Sequence, residues 1–233
     1  MARPPMNDED RDRRRSAFLL AARELFRAEG ELPGVGEIAA RAGLAKGTVY
    51  LYFGSKEELF VALLEEDFAR LFEALGVLLG CLPAAAVLAA GHFAKGYAAK
   101  ILESADLLPL AALANGVLEH NVAPAVLRRF KLLLAQGLDA AGARIETRIT
   151  GLAPGTGSTL LLRTYALTLG LWQALDYPKA VLALLAEPQL APLARRFTAE
   201  LESAVRALWV GSLQEGAKAA ADGTPPGDEV ASH

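Results

Sequence analysis

One stretch of the chain, residues 38–60, constrains the fold more than any other, because its pattern predicts three consecutive helices. In its first part, Ile38, Ala39 and Ala42 recur at helical spacing and give one small apolar face. Gly43 follows the last of them, where a left-handed backbone is least costly for a residue without a Cβ. The first part therefore predicts a short helix that ends in a tight glycine turn.

The second part of this stretch, residues 45–52, predicts another short helix with one buried and one exposed face. Val49 and Phe53 are spaced to reach the core. The side chains expected to point outward are Lys46, Thr48, Tyr50 and Tyr52. Ser55 and Glu58 then match the capping box that opens a longer helix. Two short helices joined by a glycine turn are the plan of a helix-turn-helix, whose second helix enters the major groove of DNA.

A longer pattern of residue types runs through the same stretch. Its members are Ile38, Ala39, Ala42, Gly43, Leu44, Lys46, Gly47, Thr48, Val49, Tyr50, Tyr52, Phe53, Ser55, Lys56, Glu57 and Leu59. In this order and spacing they resemble the DNA-binding signature of the TetR family of bacterial transcriptional regulators, over residues 14–63. The resemblance implies an all-α fold, in which an N-terminal helix-turn-helix, three-helix DNA-binding domain precedes a larger helical ligand-binding and dimerisation domain.

The chain departs from the family pattern at two positions near the expected DNA phosphates. The family usually has Thr or Ser at the start of the first motif helix, where this chain has Gly34 after Pro33. It often has Ser as the N-cap of the recognition helix, where this chain has Ala45. An Ala at an N-cap typically costs about 1 kcal/mol of helix stability. Because both changes remove a hydroxyl, we expect an altered affinity or operator preference.

Composition independently favours an all-α protein. The chain has 233 residues, of which 53% are hydrophobic and only 7% aromatic, with Ala and Leu in excess. Alanine and leucine are strong helix formers. No apolar run reaches the roughly 18 residues that a membrane span needs. A lone Cys81 suits a reducing compartment, so we expect a cytoplasmic protein without a membrane partner.

The net charge of −3 does not by itself indicate a nucleic-acid partner. Residues 1–60 carry ten Lys or Arg and ten Asp or Glu, and the remaining fourteen basic and seventeen acidic residues supply the deficit. Binding of double-stranded DNA would then depend on where individual charges are placed. One candidate is the basic cluster at residues 11–15, which could equally be a solvated helix start.

The expected contacts with DNA are Arg14, Lys46, Gly47, Thr48, Tyr50, Tyr52 and Lys56. Lys46 can reach a guanine edge or a phosphate, and Thr48 can bond a base or a phosphate and touch a thymine methyl. Lys56 lies at a helix N-terminus, where the helix dipole and the ammonium both attract phosphate. Tyr50 has an equal alternative, which is packing against the first helix.

Helical periodicity, together with the domain roles that the resemblance implies, divides the chain into four segments. Residues 1–10 are predicted to be a disordered arm, residues 11–64 the DNA-binding domain, residues 65–211 the effector-binding and dimerisation domain, and residues 212–233 a disordered tail. The predicted helices, about nine in all, cover residues 16–29, 38–42, 45–52, 55–80, 84–102, 106–119, 124–150, 159–175 and 190–210, with a short turn at 179–185. The helix over residues 55–80 would span about 36 Å and connect the two domains.

The larger domain carries polar and aromatic residues on otherwise apolar helices, a pattern that suggests a ligand cavity. The candidates are Phe68, Phe72, His92, Phe93, Tyr97, Asn115, Glu119, His120, Trp172 and Gln173. By the resemblance, residues 159–175 and 190–210 would pair with those of a second copy in a four-helix dimer interface. The interface candidates are Leu161, Leu169, Trp172, Leu193, Phe197, Leu201, Val205 and Leu208. For every member of both sets, core packing within one chain is the alternative.

The sequence lacks the G-x-S-x-G, P-loop and H-E-x-x-H motifs of common enzymes, and one Cys with three His forms no zinc pattern. We therefore expect no enzymatic activity, cofactor or metal. The main hypothesis is a homodimeric repressor that a small, mostly apolar effector releases from a pseudo-palindromic operator. The alternatives are a regulator whose larger domain docks a protein partner and a helical enzyme that kept the motif, while activation instead of repression stays open.

Overall fold

In the computed structural model of this chain, residues 8–222 are described, except for the side chains of Asn115 and residues 216–222. Every regular element within these residues is a helix, and none is a strand. The prediction of an all-α fold is confirmed. Predictions that concern residues 1–7, residues 223–233 and the Asn115 side chain lie outside the described part of the chain.

Ten α-helices make up most of the described chain. They are α1 (Asp8–Glu29), α2 (Val35–Arg41), α3 (Lys46–Val49), α4 (Lys56–Gly80), α5 (Ala86–Glu103), α6 (Leu107–Leu113), α7 (Pro124–Arg148), α8 (Thr156–Leu175), α9 (Lys179–Leu184) and α10 (Phe197–Asp222). A π-helix (Ala114–Leu118) and a 3-10 helix (Glu119–Asn121) join α6 to α7. The predicted long helix over residues 55–80 is confirmed by α4, which has 25 residues.

Contacts group the described residues into two compact units. The N-terminal unit contains residues 8–68 and 105–133, and the C-terminal unit contains residues 69–104 and 134–222. Residues 105–133 thus belong to the same unit as α1, α2 and α3, although they are distant from these helices in sequence. Helices α4 and α7 each begin in the N-terminal unit and end in the C-terminal unit.

An apolar core holds the N-terminal unit together. Its side chains include Phe18, Leu25, Phe26, Ile38, Val49, Phe53, Leu59, Phe60, Leu63 and Leu64, all of which are buried. The rings of Phe26 on α1 and Phe60 on α4 lie 6.1 Å apart. Burial of side chains of this size stabilises the fold by about 2 kcal/mol each. The prediction that Val49 and Phe53 face the core is confirmed.

Two predicted disordered ends are partly helical. Helix α1 begins at Asp8, where the acidic first turn complements the helix dipole and Arg13 pairs with Asp10 at 2.6 Å. Helix α10 continues to Asp222 because its Ala-rich end favours the helix and Leu213 is only 1% exposed. The predictions of disorder at residues 8–10 and 212–222 are therefore wrong.

Other helix boundaries differ from prediction for local reasons. Helix α3 ends at Val49, and the chain continues to Phe53 in turns in which the Tyr52 amide donates to the Val49 carbonyl at 3.0 Å. The last helix begins at Phe197 and not at residue 190. Its predicted start is a 3-10 helix, Pro188–Leu193, in which Pro192 has no amide to donate.

Helices α7 and α8 of the C-terminal unit cross at direct backbone contact. A Cβ added at Gly142 would overlap the backbone of Ser158, and one added at Gly157 would overlap the Gly142 carbonyl. The carboxylate of Glu146 also accepts a hydrogen bond from the Gly157 amide at 2.8 Å. Glycine is required at this crossing because any larger side chain would force the two helices apart.

Candidate nucleic-acid interface

The turn between α2 and α3 has the geometry that its glycine predicts. Gly43 has φ of +68°, which L residues with a Cβ rarely adopt. The Leu44 amide donates to the Ala39 carbonyl at 2.9 Å, and the Gly43 amide donates to the Ala40 carbonyl at 3.1 Å. These two bonds form a Schellman motif, which satisfies the carbonyls at the end of α2. The turn therefore gives a defined direction to the chain that enters α3.

Helix α3 and the residue after it expose polar groups, while Val49 is buried. Lys46 and Gly47 are exposed, and a Cβ added at Gly47 would meet no atom within 4 Å. Thr48 is half-buried, whereas Tyr50 is 52% exposed. Val49 is only 1% exposed. An ammonium, an uncovered backbone and a phenol hydroxyl thus share one accessible surface, as contacts with phosphates and base edges require.

Tyr52 packs against the first helix. The ring of Tyr52 lies 5.7 Å from the ring of Phe18 on α1, and Tyr52 is half-buried. Tyr50 is 52% exposed, and its two predicted roles, contact with DNA and packing against α1, stay predictions. Tyr52 therefore has a structural role in addition to any contact that its hydroxyl makes with DNA.

The two departures from the family pattern have different local outcomes. At Gly34 the carboxylate of Glu37 accepts a hydrogen bond from the Gly34 amide at 2.6 Å, so this helix start retains half of a capping box. At Ala45 no side chain caps α3. The first amides of α3 that lack an intrahelical acceptor therefore have no side-chain partner from this position.

Helix α4 begins with the predicted cap. The Glu58 amide donates to Ser55 Oγ at 3.1 Å, which confirms Ser55 as the N-cap. The Glu58 carboxylate reaches back one residue further than the standard box and accepts a hydrogen bond from the Gly54 amide at 2.7 Å. Lys56 is half-buried in the first turn of this helix.

Only part of the basic cluster at residues 11–15 is available for a partner. Arg13 pairs with Asp10, and the Arg15 guanidinium lies 5.4 Å from the centroid of the Phe53 ring. Arg14 is half-buried, and Arg11 is exposed. The α3 residues and Lys56 therefore lie in one short segment of the chain, whereas Arg14 lies on α1.

A buried charged cluster in the N-terminal unit was not predicted from the sequence. Arg23 Nη1 donates to Asp67 at 3.1 Å and to Asp106 at 2.9 Å. Arg27 Nε donates to Asp106 at 2.7 Å. Both aspartates are at most 4% exposed. The cluster joins α1 to α4 and to the residue that precedes α6.

Electrostatics keep this cluster charged. Burial acts to raise the pKa of Asp106, but hydrogen bonds from Arg27 and Arg23 outweigh it and hold the pKa below its usual value. Burial likewise opposes the charge of Arg23, yet its bonds to Asp67 and Asp106 raise its pKa. The Nη2 atom of Arg23 is buried without a hydrogen-bond partner among the described residues and lies 3.8 Å from Glu66.

Phe93 and Tyr97 belong to a closed core in the C-terminal unit. The Phe93 ring stacks on Trp209 of α10 with centroids 3.7 Å apart, and the Tyr97 ring lies 5.3 Å from Phe93. All three side chains are at most 3% exposed. Core packing, which the sequence analysis left as the alternative to ligand contact, is therefore what burial supports for both candidates.

Each hydrogen bond among the buried polar atoms of this core has a defined donor. Thr168 Oγ1 donates to the Thr164 carbonyl at 2.7 Å, so the hydroxyl of Tyr97 must be the donor in its 3.0 Å bond to Thr168. Trp209 Nε1 donates to Thr164 Oγ1 at 2.9 Å, and that hydroxyl donates to the Leu160 carbonyl at 2.7 Å. Burial raises the pKa of Tyr97 despite the opposing effect of its bond to Thr168. The phenol is therefore neutral at physiological pH.

The remaining ligand candidates do not form one cluster. Phe68 is buried in the N-terminal unit with its ring 6.1 Å from Phe130. Glu119 accepts a hydrogen bond from Lys131 at 2.6 Å, and His120 is exposed in the same unit. In the C-terminal unit, His92 and Gln173 are exposed, while Phe72 and Trp172 are half-buried.

An open groove runs between the second halves of α4 and α7 in the C-terminal unit. Its volume is about 560 Å³, and its lining residues are Phe72, Glu73, Gly76, Val77, Gly80, Cys81, Gly137, Ala140, Ala141 and Arg144. Arg144 Nη1 donates to the Gly76 carbonyl at 3.3 Å. The groove is largely apolar because glycines, alanines and Val77 form most of its walls. Phe72 is the ligand candidate that it contains.

The interface candidates divide by burial within the single chain. Leu161, Leu201 and Val205 are at most 4% exposed, so core packing accounts for them. The half-buried candidates are Leu169, Trp172, Phe197 and Leu208. Leu193 is 51% exposed and lies in the 3-10 helix before α10.

Two further kinds of site are absent from the part of the chain that the structure describes. Among residues 8–222, no helix combines the length and the apolar character that crossing a bilayer requires. The same residues contain no group of three His, Cys, Asp or Glu side chains that could hold a metal ion.

Two family models match the chain. The model described as "Bacterial regulatory proteins, tetR family" matches residues 18–63, which contain the helix-turn-helix. The model described as "Tetracyclin repressor-like, C-terminal domain" matches residues 65–216. The second match alone covers more than half of the chain.

Two curated regulators are similar over short segments. The "Uncharacterized HTH-type transcriptional regulator YfiR" of Bacillus subtilis is 36% identical over 63 residues, which are 27% of this chain and 31% of that protein. The "HTH-type transcriptional activator FasR" of Mycolicibacterium smegmatis is 46% identical over 56 residues, which are 24% of this chain and 26% of that protein. The chain therefore matches less than a third of the length of either relative.

Solved structures share the fold over most of the chain. A putative TetR-family regulator from Mesorhizobium loti aligns with a TM-score of 0.54 and 22% identity, covering 88% of this chain and 96% of that one. The regulator FadR from Bacillus subtilis, solved in complex with stearoyl-CoA, aligns with a TM-score of 0.52 and 19% identity, covering 84% and 98%. These structures show the shared fold, and the two family matches establish that the chain belongs to the TetR family, whose regulator domains indicate a DNA-binding transcription factor and not an enzyme.

Proposed function

We propose that this protein is a cytoplasmic homodimeric repressor that binds a pseudo-palindromic operator and leaves it when a small, mostly apolar effector binds. The observation that carries the proposal is that Lys46, Gly47 and Tyr50 are exposed around the buried Val49. Lys46 and Thr48 would read base edges or phosphates. Lys56, Tyr52 and Arg14 would contact the backbone and so set the position of α3 in the groove.

A second copy of the chain would cover apolar surface on α8 and α10. Leu162 on α8 is 52% exposed, and the half-buried Leu169 and Trp172 follow on the same helix. Leu208 on α10 is also half-buried. A two-fold dimer would present two copies of α3 to half-sites about 34 Å apart, which is one turn of DNA.

The groove between α4 and α7 is the proposed effector site. Its glycine and alanine walls leave room for an apolar molecule, and FadR, whose fold is similar, binds stearoyl-CoA. Helix α4 lines the groove near its end. It starts at Lys56, shortly after residues 46–53, here called the DNA-reading segment. An effector that binds better to one position of α4 would shift the population away from the spacing that fits the operator.

Selection of bound DNA from a random pool tests the proposal. We expect the wild type to enrich a palindrome and a Lys46→Ala, Tyr50→Ala double variant to enrich none. Tyr50 is the better target because Tyr52 packs against Phe18 and its removal would disturb the fold. Lys95→Ala, which removes an exposed lysine of α5, is the control and should enrich the same palindrome. A folded wild type that enriches no sequence would refute the proposal.

Activation is a second candidate, because FasR is named as an activator and shares 46% identity over 56 residues. The same DNA-binding unit serves either outcome, so the position of the operator relative to the promoter would decide. Transcription in vitro from a promoter that carries the selected operator distinguishes the two. A fall in transcript on adding the protein supports repression, whereas a rise supports activation.

A further inference from the structure

Residues 106–123, here called the strap, are fixed at their start to helix α1. The strap begins with Asp106, whose carboxylate accepts hydrogen bonds from Arg23 at 2.9 Å and from Arg27 at 2.7 Å. Asp106 is 4% exposed, and these bonds hold its charge in a buried position. Helix α1 therefore cannot move relative to Asp106 without separating buried opposite charges.

The other end of the strap is fixed to the corner between α3 and α4. Ser55 Oγ donates to the Asn121 carbonyl at 3.1 Å. Glu58 bridges two backbone amides, since one carboxylate oxygen accepts from Ala123 at 3.2 Å and the other from Gly54 at 2.7 Å. One carboxylate thus joins the end of the strap to the residue that follows the DNA-reading segment.

Between these anchors the strap changes its hydrogen-bond register twice. Helix α6 gives way to the π-helix Ala114–Leu118, and the 3-10 helix Glu119–Asn121 follows. Segments of π-helix are rare and occur frequently at functional sites. The strap therefore has two fixed ends and an irregular middle.

We propose that Asp106 and Glu58 are positioning residues for DNA reading, which hold the strap against α1 and against the Gly54 corner and thereby set the orientation of α3. Helix α3 has four residues and no side-chain N-cap, so its own hydrogen bonds do little to hold it. Its neighbours do so instead, through the Phe18–Tyr52 contact on one side and the Gly54–Glu58 bond on the other. Loosening either anchor would leave α3 formed but less well aligned.

The test compares Asp106→Asn and Glu58→Gln with two controls. Glu29→Gln removes an exposed carboxylate at the end of α1, and Glu103→Gln removes a surface carboxylate that pairs with Lys100. The readouts are affinity for the operator selected by the wild type, affinity for unrelated DNA, and amide hydrogen exchange at residues 46–53. All are measured at a temperature at which circular dichroism shows the variants folded.

Each anchor variant should lose about tenfold in operator affinity, a typical size for coupling between sites, with a smaller loss on unrelated DNA. Exchange at residues 46–53 should accelerate, and the control variants should match the wild type in every readout. If Asp106→Asn does not fold, Asp106→Glu, which keeps the charge and displaces it, replaces it under the same criterion.

The inference rests on the proposed DNA binding, but the two fail differently. Anchor variants that are folded, bind the operator as tightly as the wild type and exchange residues 46–53 at the wild-type rate would overturn the positioning role. A wild type that selects no DNA would overturn the proposed function. In that case unchanged exchange in the anchor variants would also overturn the inference, because alignment of α3 needs no DNA to be measured.

Discussion

The N-terminal unit buries charges, whereas the C-terminal unit buries neutral polar groups. In the N-terminal unit, Asp67 and Asp106 are buried and bonded to arginines of α1. Among the side chains that the structure describes in the C-terminal unit, the buried polar groups are neutral. The hydroxyls of Thr164 and Thr168 each donate to a carbonyl one turn earlier in α8.

The difference bears on what each unit is built to do. A buried ion cluster costs desolvation and often contributes little net stability, but breaking it leaves an uncompensated charge and is costly. Such a cluster therefore specifies one arrangement of its helices. Stacked rings with satisfied hydroxyls stabilise through apolar burial and impose less on the position of distant elements. In the proposed function, the charged unit is the one that holds α3 against DNA.

Removal of Trp209 should have the largest effect on stability. Trp209→Ala would leave a cavity beside Phe93 and strand the hydroxyl of Thr164 without its donor. We expect the free energy of unfolding to fall by about 4 kcal/mol, measured by urea denaturation. Val87→Ala, at a position 49% exposed in the same unit, should change it by less than about 0.5 kcal/mol. A small effect of Trp209→Ala would mean that the stacked core is not the main source of stability.

Asp106→Asn should cause the next largest loss of stability, because it leaves a buried charge uncompensated. It leaves Arg23 partly buried beside an uncharged amide, so we expect a loss of about 3 kcal/mol. Because Arg27 is 56% exposed, solvent limits the penalty on its side. If Asp106 and Arg27 interact, the double variant Asp106→Asn, Arg27→Gln should lose less stability than the sum of the two single variants in the same urea titration. If the double variant is as unstable as the sum of the single changes, the pair does not interact.

Overpacking the crossing of α7 and α8 should cause the third largest loss of stability. Gly157→Ala would place a methyl group against the Gly142 carbonyl, and overpacking of this kind costs about 2 kcal/mol. Gly91→Ala is the control, because a Cβ there meets no atom within 4 Å. That change should stabilise α5 slightly, by up to about 1 kcal/mol. Equal thermal midpoints for the two variants would contradict the close crossing.

Loss of one neutral hydrogen bond should cost less. Tyr97→Phe removes the proton donated to Thr168 while keeping the ring beside Phe93. We expect a loss of about 1 kcal/mol, and Tyr50→Phe, on an exposed ring, should change stability by less. A cost for Tyr97→Phe as large as that of Asp106→Asn would remove the distinction between the two units.

The smallest expected effect is that of pH, near neutrality, on the stability difference between the wild type and Asp106→Asn. The pKa of Asp106 is lowered on folding, so its contribution is complete above its unfolded pKa of about 4 and is lost as pH falls through the lower folded value. The stability difference between wild type and Asp106→Asn should therefore stay constant from neutral pH to that point and then narrow. Chemical denaturation at a series of pH values measures it. A difference that narrows already above pH 5 would contradict the assignment to this carboxylate.

Local rules were sufficient for the DNA-reading segment. Spacing, one glycine and one capping serine predicted the two short helices, the turn at Gly43 and the start of α4, because each depends on residues no more than a few positions apart. The same rules overestimated α3 by four residues, residue 45 and residues 50–52. They also missed the helical end of α10, where the tertiary structure buries Leu213.

By itself, then, the sequence determined the helix-turn-helix, the all-α class and the long helix α4, since apolar periodicity and capping are encoded within one element. Tertiary structure decided which distant residues these helices bring into contact. Arg23 meets Asp106 across 83 positions and Arg27 meets it across 79, and no periodic pattern predicts such a pairing. It also decided that Phe93 and Tyr97 fill a core while Phe72 lines a groove, because aromatic residues on apolar helices look alike until the packing of the other helices determines which faces are covered.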